Sequence, residues 1–577
     1  MPTLRKAFYL NLACQNVRRN RKTYLPYIFA VAVMSGVFML MTGLLFSDSV
    51  NNVPQGQSAT MMFSFGMVVF AIFTFFFMSY INKYMIGRRK KEFGLYGILG
   101  LEKRHVARVL IWENVITRSL GVLLGALLAL VFGQLLFLLL MRLIRAVASG
   151  TFKLPAAAIL VTGLLFVAIF VFTTITNLWQ VRVSSPMELL QSERKGDKDG
   201  KLLVPVAILG GIMLLSAYYF AWTIENPSIA LGVFFLLATL VIIATYLLMR
   251  SGSIAVLRLL RANKRFYYQP RHFVAVSGMF QRMRQNARSL SAICILSTML
   301  VVTMSGTLSL YLGREEMTRG MYPYDMEVYL PKNTDVATAR AFEEKLIALS
   351  DEYHVTISAD PGKLVYERDY NQPGMRNNFV DEDDVLLPMQ TVQCFNGSMR
   401  FDASGTEEDC LAYEDALRTL YNACFPESDE RPSLHLSSVY SSRREGYGVY
   451  GGLLFLGAFF SMLFLSITVL LIYFKQISEG YEDKAQFMIL QKVGMDDSQV
   501  RETINAQVLW IFFLPLGATI LHMAFASRIM TRMLMTFMLY DWGLVLTCIG
   551  GVLLVFALVY LVVYLLTAKV YYRIVKW

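Results

Sequence analysis

Long apolar runs separated by short polar segments dominate the chain. A transmembrane helix needs about 20 consecutive, mainly apolar residues. Ten runs meet this requirement, at 24–46, 60–83, 107–141, 155–178, 202–222, 229–249, 291–313, 447–474, 505–535 and 541–568. The third and ninth are long enough to tilt or to extend beyond the bilayer. The pattern predicts a polytopic membrane protein with ten transmembrane helices.

Composition and charge support this prediction and give it an orientation. Apolar residues make up 55% of the chain and charged residues 17%, compared with about 25% charged residues in soluble domains. Lys and Arg concentrate before the first run, after the second, fourth and sixth runs, and in the tail. The positive-inside rule then predicts that both termini are cytoplasmic. Because these basic residues flank membrane spans, we expect no nucleic-acid binding.

The segment 314–446 differs from the rest of the chain. It holds 26 acidic and 13 basic residues, although the whole chain has a net charge of +12. The number of preceding spans predicts that it is extracellular. Its pattern predicts short strands at 326–330 and 355–358 and a helix over 336–349. We therefore expect an all-α membrane protein that carries one mixed α/β extracellular domain.

A weak internal repeat divides the chain into two halves. The stretch KKEFGLYGILGLEKRHV at 90–106 resembles KAQFMILQKVGMDDSQV at 484–500, and each lies between a shorter and a longer predicted span. Repeats of this kind are common in transporters, and chance similarity is the alternative. The predicted division is a cytoplasmic amphipathic lead-in (1–23), a first half with spans 1–4 (24–190), a linker with spans 5 and 6 (191–270), a lead-in with span 7 (271–313), the extracellular domain (314–446), and the remaining second half with spans 8–10 (447–577).

The polar segment after span 2 carries the most specific motif. The run GRRKKEFGL at 87–95, followed by Gly100, has basic residues, then Glu, a hydrophobic residue and small residues, and then a Gly. This order resembles the loop signature of FtsX-like permeases. Glu113 and the run PMELL at 186–190 resemble further positions of that family. Ten spans with one large outside domain between spans 7 and 8 resemble its BceB-type branch, the permeases of Gram-positive peptide-antibiotic resistance transporters.

The resemblance implies a permease subunit of an ABC transporter in a bacterial plasma membrane. Its ATPase would be a separate cytoplasmic chain, a homodimer that binds ATP and Mg²⁺, and the two repeated segments would contact it. The candidate contacts are Arg88, Arg89, Lys90, Lys91, Glu92, Phe93, Gly94, Tyr96 and Gly100 in the first segment, and Lys484, Phe487, Gly494 and Met495 in the second.

Helical spacing adds detail to the first of these segments. Phe93, Tyr96 and Gly97 share one helical face, and we expect that face to fill a groove on the ATPase. The basic run 88–91 would meet acidic protein surface or lipid; a simple anchor against anionic headgroups is the alternative. In the second segment Gln486 stands where Glu92 stands in the first, so we expect the two contacts to be unequal.

The resemblance also suggests partners outside the cell and in the membrane. The extracellular domain would engage a peptide antibiotic or an undecaprenyl-type lipid, and a membrane histidine kinase would be a further partner. The alternatives are an FtsX-like regulator of cell-wall hydrolases and a lipid- or lipoprotein-handling permease. A secondary transporter is a third class.

The chain itself shows no catalytic or metal-binding arrangement. It lacks the G-x-x-x-x-G-K-[ST] run of a P-loop and any CxxC or Cys/His metal spacing, so we expect neither enzymatic activity nor a bound cofactor. The acidic cluster 381–384 is interpreted as a solvated loop rather than a cation or cationic-peptide site. Within the spans, Glu113 and His522 are functional candidates, with structural hydrogen bonding favoured over a proton pathway. The pair Gly121 and Gly125 predicts a close helix contact.

Overall fold

The computed structural model describes residues 2–146, 151–183, 203–262, 265, 270–322, 324–329, 336–358, 393–395, 398–425, 436–492 and 497–575. The helices are α1 (Pro2–Arg19), α2 (Arg21–Leu45), α3 (Asp48–Asn51), α4 (Pro54–Ile98), α5 (Lys103–Leu143), α6 (Ala156–Val183), α7 (Leu203–Thr223), α8 (Pro227–Leu247), α9 (Ser253–Ala262), α10 (Pro270–Leu312), α11 (Arg314–Met321), α12 (Val336–Glu352), α13 (Glu407–Cys424), α14 (Val439–Lys492), α15 (Asp497–Met535) and α16 (Trp542–Val575). The strands are β1 (Met326–Tyr329), β2 (Thr356–Ser358), β3 (Gln393–Phe395), β4 (Ser398–Ser404) and β5 (Leu436–Ser438). A π-helical turn, Leu248–Gly252, joins α8 to α9.

Among the described residues, ten helices contain stretches that are long and apolar enough to cross a membrane, which confirms the predicted layout. They are α2, α4, α5, α6, α7, α8, α10, α14, α15 and α16. The third and ninth are long, as expected, with 41 and 39 residues. One expectation is corrected: the segment after span 2 is not a separate element, because α4 continues without a break for 45 residues to Ile98.

The membrane helices pack as two sets of four with the same internal pairs. In the first set α2 contacts α4, α5 and α6, and in the second α10 contacts α14, α15 and α16. Helices α4 and α14 join the two sets. Helices α7 and α8 pack against each other and against α15. They therefore form an addition to the second set.

Small residues bring α2 and α5 into close contact. A Cβ atom at Gly125 would lie 2.7 Å from the carbonyl oxygen of Ala32 and 2.8 Å from the nitrogen of Gly36. A Cβ atom at Gly121 would lie 2.6 Å from Cβ of Val31. Both distances are too short for a side chain, so the predicted glycine contact is present and lies within this chain.

A small antiparallel sheet stands at the end of α10 and α14. The strand order is β2-β4-β1-β5, and β3 also pairs with β4. Residues of the sheet and of α12 and α13 form one apolar core, which includes Val328, Phe342, Phe401 and Tyr413. The predicted strands and helix are therefore confirmed as β1, β2 and α12, whereas the acidic cluster 381–384 lies outside the described residues.

No long linker separates this sheet domain from the membrane helices. Helix α10 ends at Leu312 and α11 begins at Arg314, while β5 ends at Ser438 and α14 begins at Val439. Because both connections are this short, a displacement of the sheet domain also displaces the ends of α10 and α14.

Candidate functional site

A buried ion pair joins the end of α4 to α5. The Arg89 and Glu113 residues are 2% and 1% exposed. Arg89 donates from Nη2 to Oε1 of Glu113 over 2.9 Å, and also from Nη1 to Oε2. A bidentate contact of this kind fixes the relative orientation of the guanidinium and the carboxylate. The pair therefore holds the basic end of α4 against α5.

Two further helices supply donors to the same carboxylate. Nδ2 of Asn16, in α1, donates to Oε1 of Glu113 over 2.8 Å, and the hydroxyl of Tyr24, in α2, donates to Oε2 over 3.0 Å. Each carboxylate oxygen thus accepts two hydrogen bonds. A buried charge without such partners is strongly unfavourable. The Glu113 charge therefore holds α1, α2, α4 and α5 together.

A second carboxylate extends the network toward the surface. Arg89 donates from Nε to Oε2 of Glu92 over 3.0 Å, and Asn20 donates from Nδ2 to Oε1 of Glu92 over 3.0 Å. The hydroxyl of Tyr96 donates to Oδ1 of Asn16 over 3.3 Å. We name these residues the anchor cluster: Asn16, Asn20, Tyr24, Arg89, Glu92, Tyr96 and Glu113.

The last turns of α4 have one buried face and one exposed face. Phe93 is 4% exposed, and the Arg89 guanidinium lies 5.0 Å from the centre of its ring. On the other face Leu95, Ile98 and Leu99 are 51%, 63% and 70% exposed. The side chains of Arg89 and Phe93 therefore pack inside this chain, and the expected contact of these two residues with a partner stays a prediction. The three exposed residues form the outward apolar surface.

Gly100 ends α4. Its φ of +88° is a left-handed conformation, which glycine adopts without steric cost. The N–H of Gly100 donates to the carbonyl oxygen of Gly97 over 3.3 Å, and the N–H of Leu101 donates to the carbonyl oxygen of Tyr96 over 3.0 Å. These two bonds form a Schellman motif, the common C-terminal cap of a helix that ends at a glycine. The sharp stop lets α5 begin three residues later, at Lys103.

The remaining predicted contact residues are described only in part. Gly94 is buried and Lys484 is half-buried. The side chains of Arg88, Lys90, Lys91 and Phe487, together with Gly494 and Met495, lie outside the described part of the structure. Their contact with a partner stays a prediction.

His522, in α15, binds two helices of the α7–α8 addition. Its Nδ1 lies 2.6 Å from the hydroxyl of Tyr218, in α7, and its Nε2 lies 3.1 Å from Oγ1 of Thr245, in α8. Tyr218 also stacks on Phe525, with ring centres 4.0 Å apart. These contacts give His522 a position that holds three helices together, as the structural interpretation predicts.

Sequence analysis missed a third ionisable residue in the membrane, Arg118 of α5. This residue is 2% exposed and lies in the third span. Its Nε donates to the hydroxyl of Tyr27 over 3.1 Å, and its Nη2 donates to Oδ1 of Asn82 over 3.0 Å. Its Nη1 donates to the carbonyl oxygen of Phe170 and to Oγ1 of Thr174, each over 2.7 Å. All four acceptors are uncharged. The arginine itself could have indicated this site in the sequence, since a charged residue within a span is energetically unfavourable and rare.

Contacts at the other end of the bundle connect the sheet domain to the second set of helices, and connect that set to the end of α5. Oε1 of Glu316, in α11, accepts from the backbone N–H groups of Tyr540 and Asp541 over 2.9 and 3.0 Å. Arg314 donates from Nη2 to the hydroxyl of Tyr447 over 2.9 Å. The guanidinium of Arg145, just after α5, lies 4.3 Å from the centre of the Tyr447 ring. The base of the sheet domain thus contacts the ends of spans 8, 9 and 10, and span 8 in turn contacts the end of span 3.

Comparison with known proteins agrees with this architecture. Residues 64–186 match the family model for the FtsX-like permease C-terminal domain, and they cover most of α4 and all of α5 and α6. Glu113, Arg89 and Arg118 all lie within the match. The fold and the match define a multi-pass membrane protein with an FtsX-like permease domain.

Three relatives are similar along nearly the whole chain. The Bacillus subtilis (strain 168) ABC transporter permease YvcS is 21% identical over 91% of this chain and 93% of its own. The bacitracin export permease proteins BceB of Halalkalibacterium halodurans and Bacillus subtilis (strain 168) are 22% and 21% identical, each over 92% of this chain and 96% of its own. The predicted resemblance is confirmed: residues 64–186 match the FtsX-like permease model, and the chain is similar over about nine-tenths of its length to ABC transporter permeases.

Proposed function

We propose that this permease transmits the motion of a separate ABC ATPase to the sheet domain on the opposite side of the membrane. The observation that carries the proposal is the Arg89–Glu113 ion pair, which ties the end of α4 to α5. In this proposal both termini and the Arg89 end of α4 are cytoplasmic, and residues 314–446 are extracellular. The charge distribution along the sequence supports that orientation.

The ATPase would dock on the outward surface of Leu95, Ile98 and Leu99. These residues lie beyond the membrane-crossing part of α4, which ends at Gly87. Apolar side chains exposed outside the bilayer favour a protein partner. A push on this surface would move α4 and α5 together, because the anchor cluster joins them and leaves no free hinge between them. ATP and Mg²⁺ would be bound by the ATPase and not by this chain.

The path from α4 to the sheet domain would run through α14. The two helices pack closely: a Cβ atom at Gly452 would lie 2.9 Å from Cα of Ala59. Helix α14 follows directly on β5 of the sheet domain. Closely packed helices transmit displacements because interiors have little free volume. A shift of α4 is therefore expected to reach the base of the sheet domain.

For the ligand of the sheet domain we propose a peptide antibiotic or its undecaprenyl-type lipid target. Two relatives are named bacitracin export permeases, which supports this choice. A membrane histidine kinase is proposed as a further partner, since the same motion would serve sensing. Regulation of a cell-wall hydrolase, or handling of a lipid or lipoprotein, would use the same motion for a different output.

The first experiment tests docking of the ATPase. The permease would be co-expressed with a candidate P-loop ATPase from the same genome, and co-purification measured for Leu95→Asp and Ile98→Asp. We expect both variants to lose the ATPase because a carboxylate at a dry contact is left unpaired. Met321→Asp is the control: Met321 is similarly exposed, at 49%, but lies in α11 at the sheet end. Retention of the ATPase by the Leu95 and Ile98 variants would refute docking at this surface.

The second experiment tests the ligand. ATPase activity of the reconstituted complex would be measured with bacitracin, with an undecaprenyl lipid and with neither. We expect stimulation or inhibition by at least one of them. No response to either compound, together with co-purification of a wall hydrolase, would favour the regulatory function.

A further inference from the structure

A cavity of about 450 Å³ opens between α4 and α6, near the same end of the bundle as the anchor cluster. Six of the eight residues that line it have polar side chains. The polar lining residues are Ser79, Asn82, Lys83, Thr176, Asn177 and Gln180. Phe172 and Trp179 complete it, and they are 44% and 70% exposed. Its volume lies in the usual range for ligand pockets, about 300–1,000 Å³.

The cavity is electropositive. Lys83 is exposed, and no ion-pair partner is seen for it in the part of the chain that the structure describes. No Asp or Glu lines the cavity. Behind its wall lies the buried Arg118 guanidinium, which donates to Oδ1 of Asn82 over 3.0 Å. Two positive charges therefore act on this space, and an anion is the ligand that they favour.

The wall of the cavity supplies hydrogen-bond donors. Nδ2 of Asn82 donates to Oδ1 of Asn177 over 2.7 Å, and Nδ2 of Asn177 donates to Oδ1 of Asn82 over 3.0 Å. This exchange uses both carboxamide oxygens and leaves one N–H of each group for a ligand. Oγ of Ser79 is buried and has no hydrogen-bond partner among the described residues. An acceptor with several oxygen atoms, such as a phosphate group, would satisfy these donors.

The position of the cavity indicates where its ligand comes from. Trp179 stands at the mouth, and tryptophan is enriched where a protein meets the membrane–water interface. About one turn beyond Trp179, Nζ of Lys103 donates to the carbonyl oxygen of Arg182 over 2.7 Å, which adds a basic group to this end of α6. Ile175, on the same helix, is 59% exposed on the bilayer-crossing part of α6. The opening thus faces the lipid at the level of the headgroups.

We propose that this cavity binds the phosphodiester headgroup of an anionic phospholipid, with Lys83 as the charged contact. The acyl chains would lie along the exposed apolar faces of α4 and α6. A zwitterionic lipid is disfavoured because its ammonium group would meet Lys83 and Arg118. The bound lipid would join span 2 to span 4 directly below the anchor cluster. This inference rests on the membrane fold and does not require the proposed coupling to an ATPase.

Native mass spectrometry of the full-length chain tests the proposal. The protein would be released from mixed micelles that contain phosphatidylglycerol or phosphatidylcholine. We expect one phosphatidylglycerol to be retained per chain, and its retention to weaken about fivefold in Lys83→Gln, as expected for removal of one basic group near a headgroup. Lys569→Gln is the matched control, since Lys569 is also an exposed lysine at the end of a span. It should bind the lipid like the unmodified chain.

A second variant tests the cavity by shape instead of charge. Thr176 is exposed and lines the cavity, so Thr176→Phe should fill part of it and lower retention without loss of the fold. Equal retention of phosphatidylcholine, or full retention in both the Lys83 and the Thr176 variants, would overturn the proposal. Displacement of phosphatidylglycerol by millimolar inorganic phosphate would also overturn it, and would assign the cavity to a soluble anion.

Discussion

The Arg89 guanidinium donates to both carboxylate oxygens of Glu113, and neither residue is more than 2% exposed. Sequence analysis placed the two residues in different roles, one on a partner-facing surface and the other inside the membrane. Their contact makes the end of α4 and the start of α5 a single mechanical unit. The following predictions test this unit and three other contacts that hold the bundle together.

Removal of Arg89 should destabilise the protein strongly. In Arg89→Met the Glu113 charge stays buried without its main partner, and the free energy of unfolding should fall by about 3–5 kcal/mol. The double variant Arg89→Met/Glu113→Leu removes both charges and should regain much of this loss. Thermal unfolding in detergent measures both effects. Arg104→Met, which removes an exposed ion pair with Glu102, is the control and should leave the midpoint unchanged. Equal shifts for Arg89→Met and Arg104→Met would contradict the prediction.

Close packing of α2 on α5 should make Gly125 intolerant of a side chain. Gly125→Ala places a methyl group against the backbone of Ala32 and Gly36, and such overpacking costs about 1–3 kcal/mol. Gly163→Ala is the control because no atom lies within 4 Å of the added methyl group. Its unfolding midpoint should equal or exceed that of the unmodified protein. A stable Gly125→Ala variant would show that the two helices are not in contact at this site.

Loss of His522 should weaken the attachment of α7 and α8. His522→Leu removes the hydrogen bonds to Tyr218 and Thr245 and leaves both hydroxyls buried with fewer partners, at a cost of about 1–3 kcal/mol. Unfolding of the purified protein in detergent measures this loss. Tyr219→Phe changes a neighbouring side chain that is 64% exposed and should have no effect. If His522→Leu unfolds like the unmodified protein, these bonds do not hold the addition in place.

Glu316 should matter more than its neighbour Glu315. Glu316 accepts from two backbone N–H groups that precede α16, so Glu316→Ala removes two hydrogen bonds to a charged group and should cost about 1.5–3 kcal/mol. Glu315→Ala removes an ion pair with Arg443 at a position that is 51% exposed, which is worth about 0–1 kcal/mol. Unfolding measurements on the two variants test the order. In the reconstituted complex, Glu316→Ala should also reduce the response of the ATPase to an extracellular ligand while basal activity remains. The reverse order of stability would refute the prediction.

Much of the membrane fold could be predicted because span formation depends on local sequence. A run of about 20 apolar residues is sufficient for a span, so all ten were found. The predicted strands at 326–330 and 355–358 correspond to β1 and β2 for the same reason, since strand patterns are also local. The continuous course of α4 was not found, because a change from apolar to basic residues marks the end of a membrane and not the end of a helix.

The candidate site was only partly visible in the sequence. Glu113 was identified from its chemistry, but its partners Asn16, Tyr24 and Arg89 come from three other helices. Phe93 and Leu95 are both apolar, and helical spacing alone did not indicate which of them faces outward. Packing of the bundle decides this, since Phe93 lies in the main apolar core and Leu95 is exposed.

The sequence by itself determined the number of spans, the position of the sheet domain between the seventh and eighth, and the resemblance to FtsX-like permeases. These features depend on the length and order of apolar runs and on short motifs. Only the tertiary structure decided that Arg89 pairs with Glu113 and that Arg118 lies beside the cavity between α4 and α6. Such contacts join residues from separate helices, and their formation depends on which helix faces meet when the bundle packs.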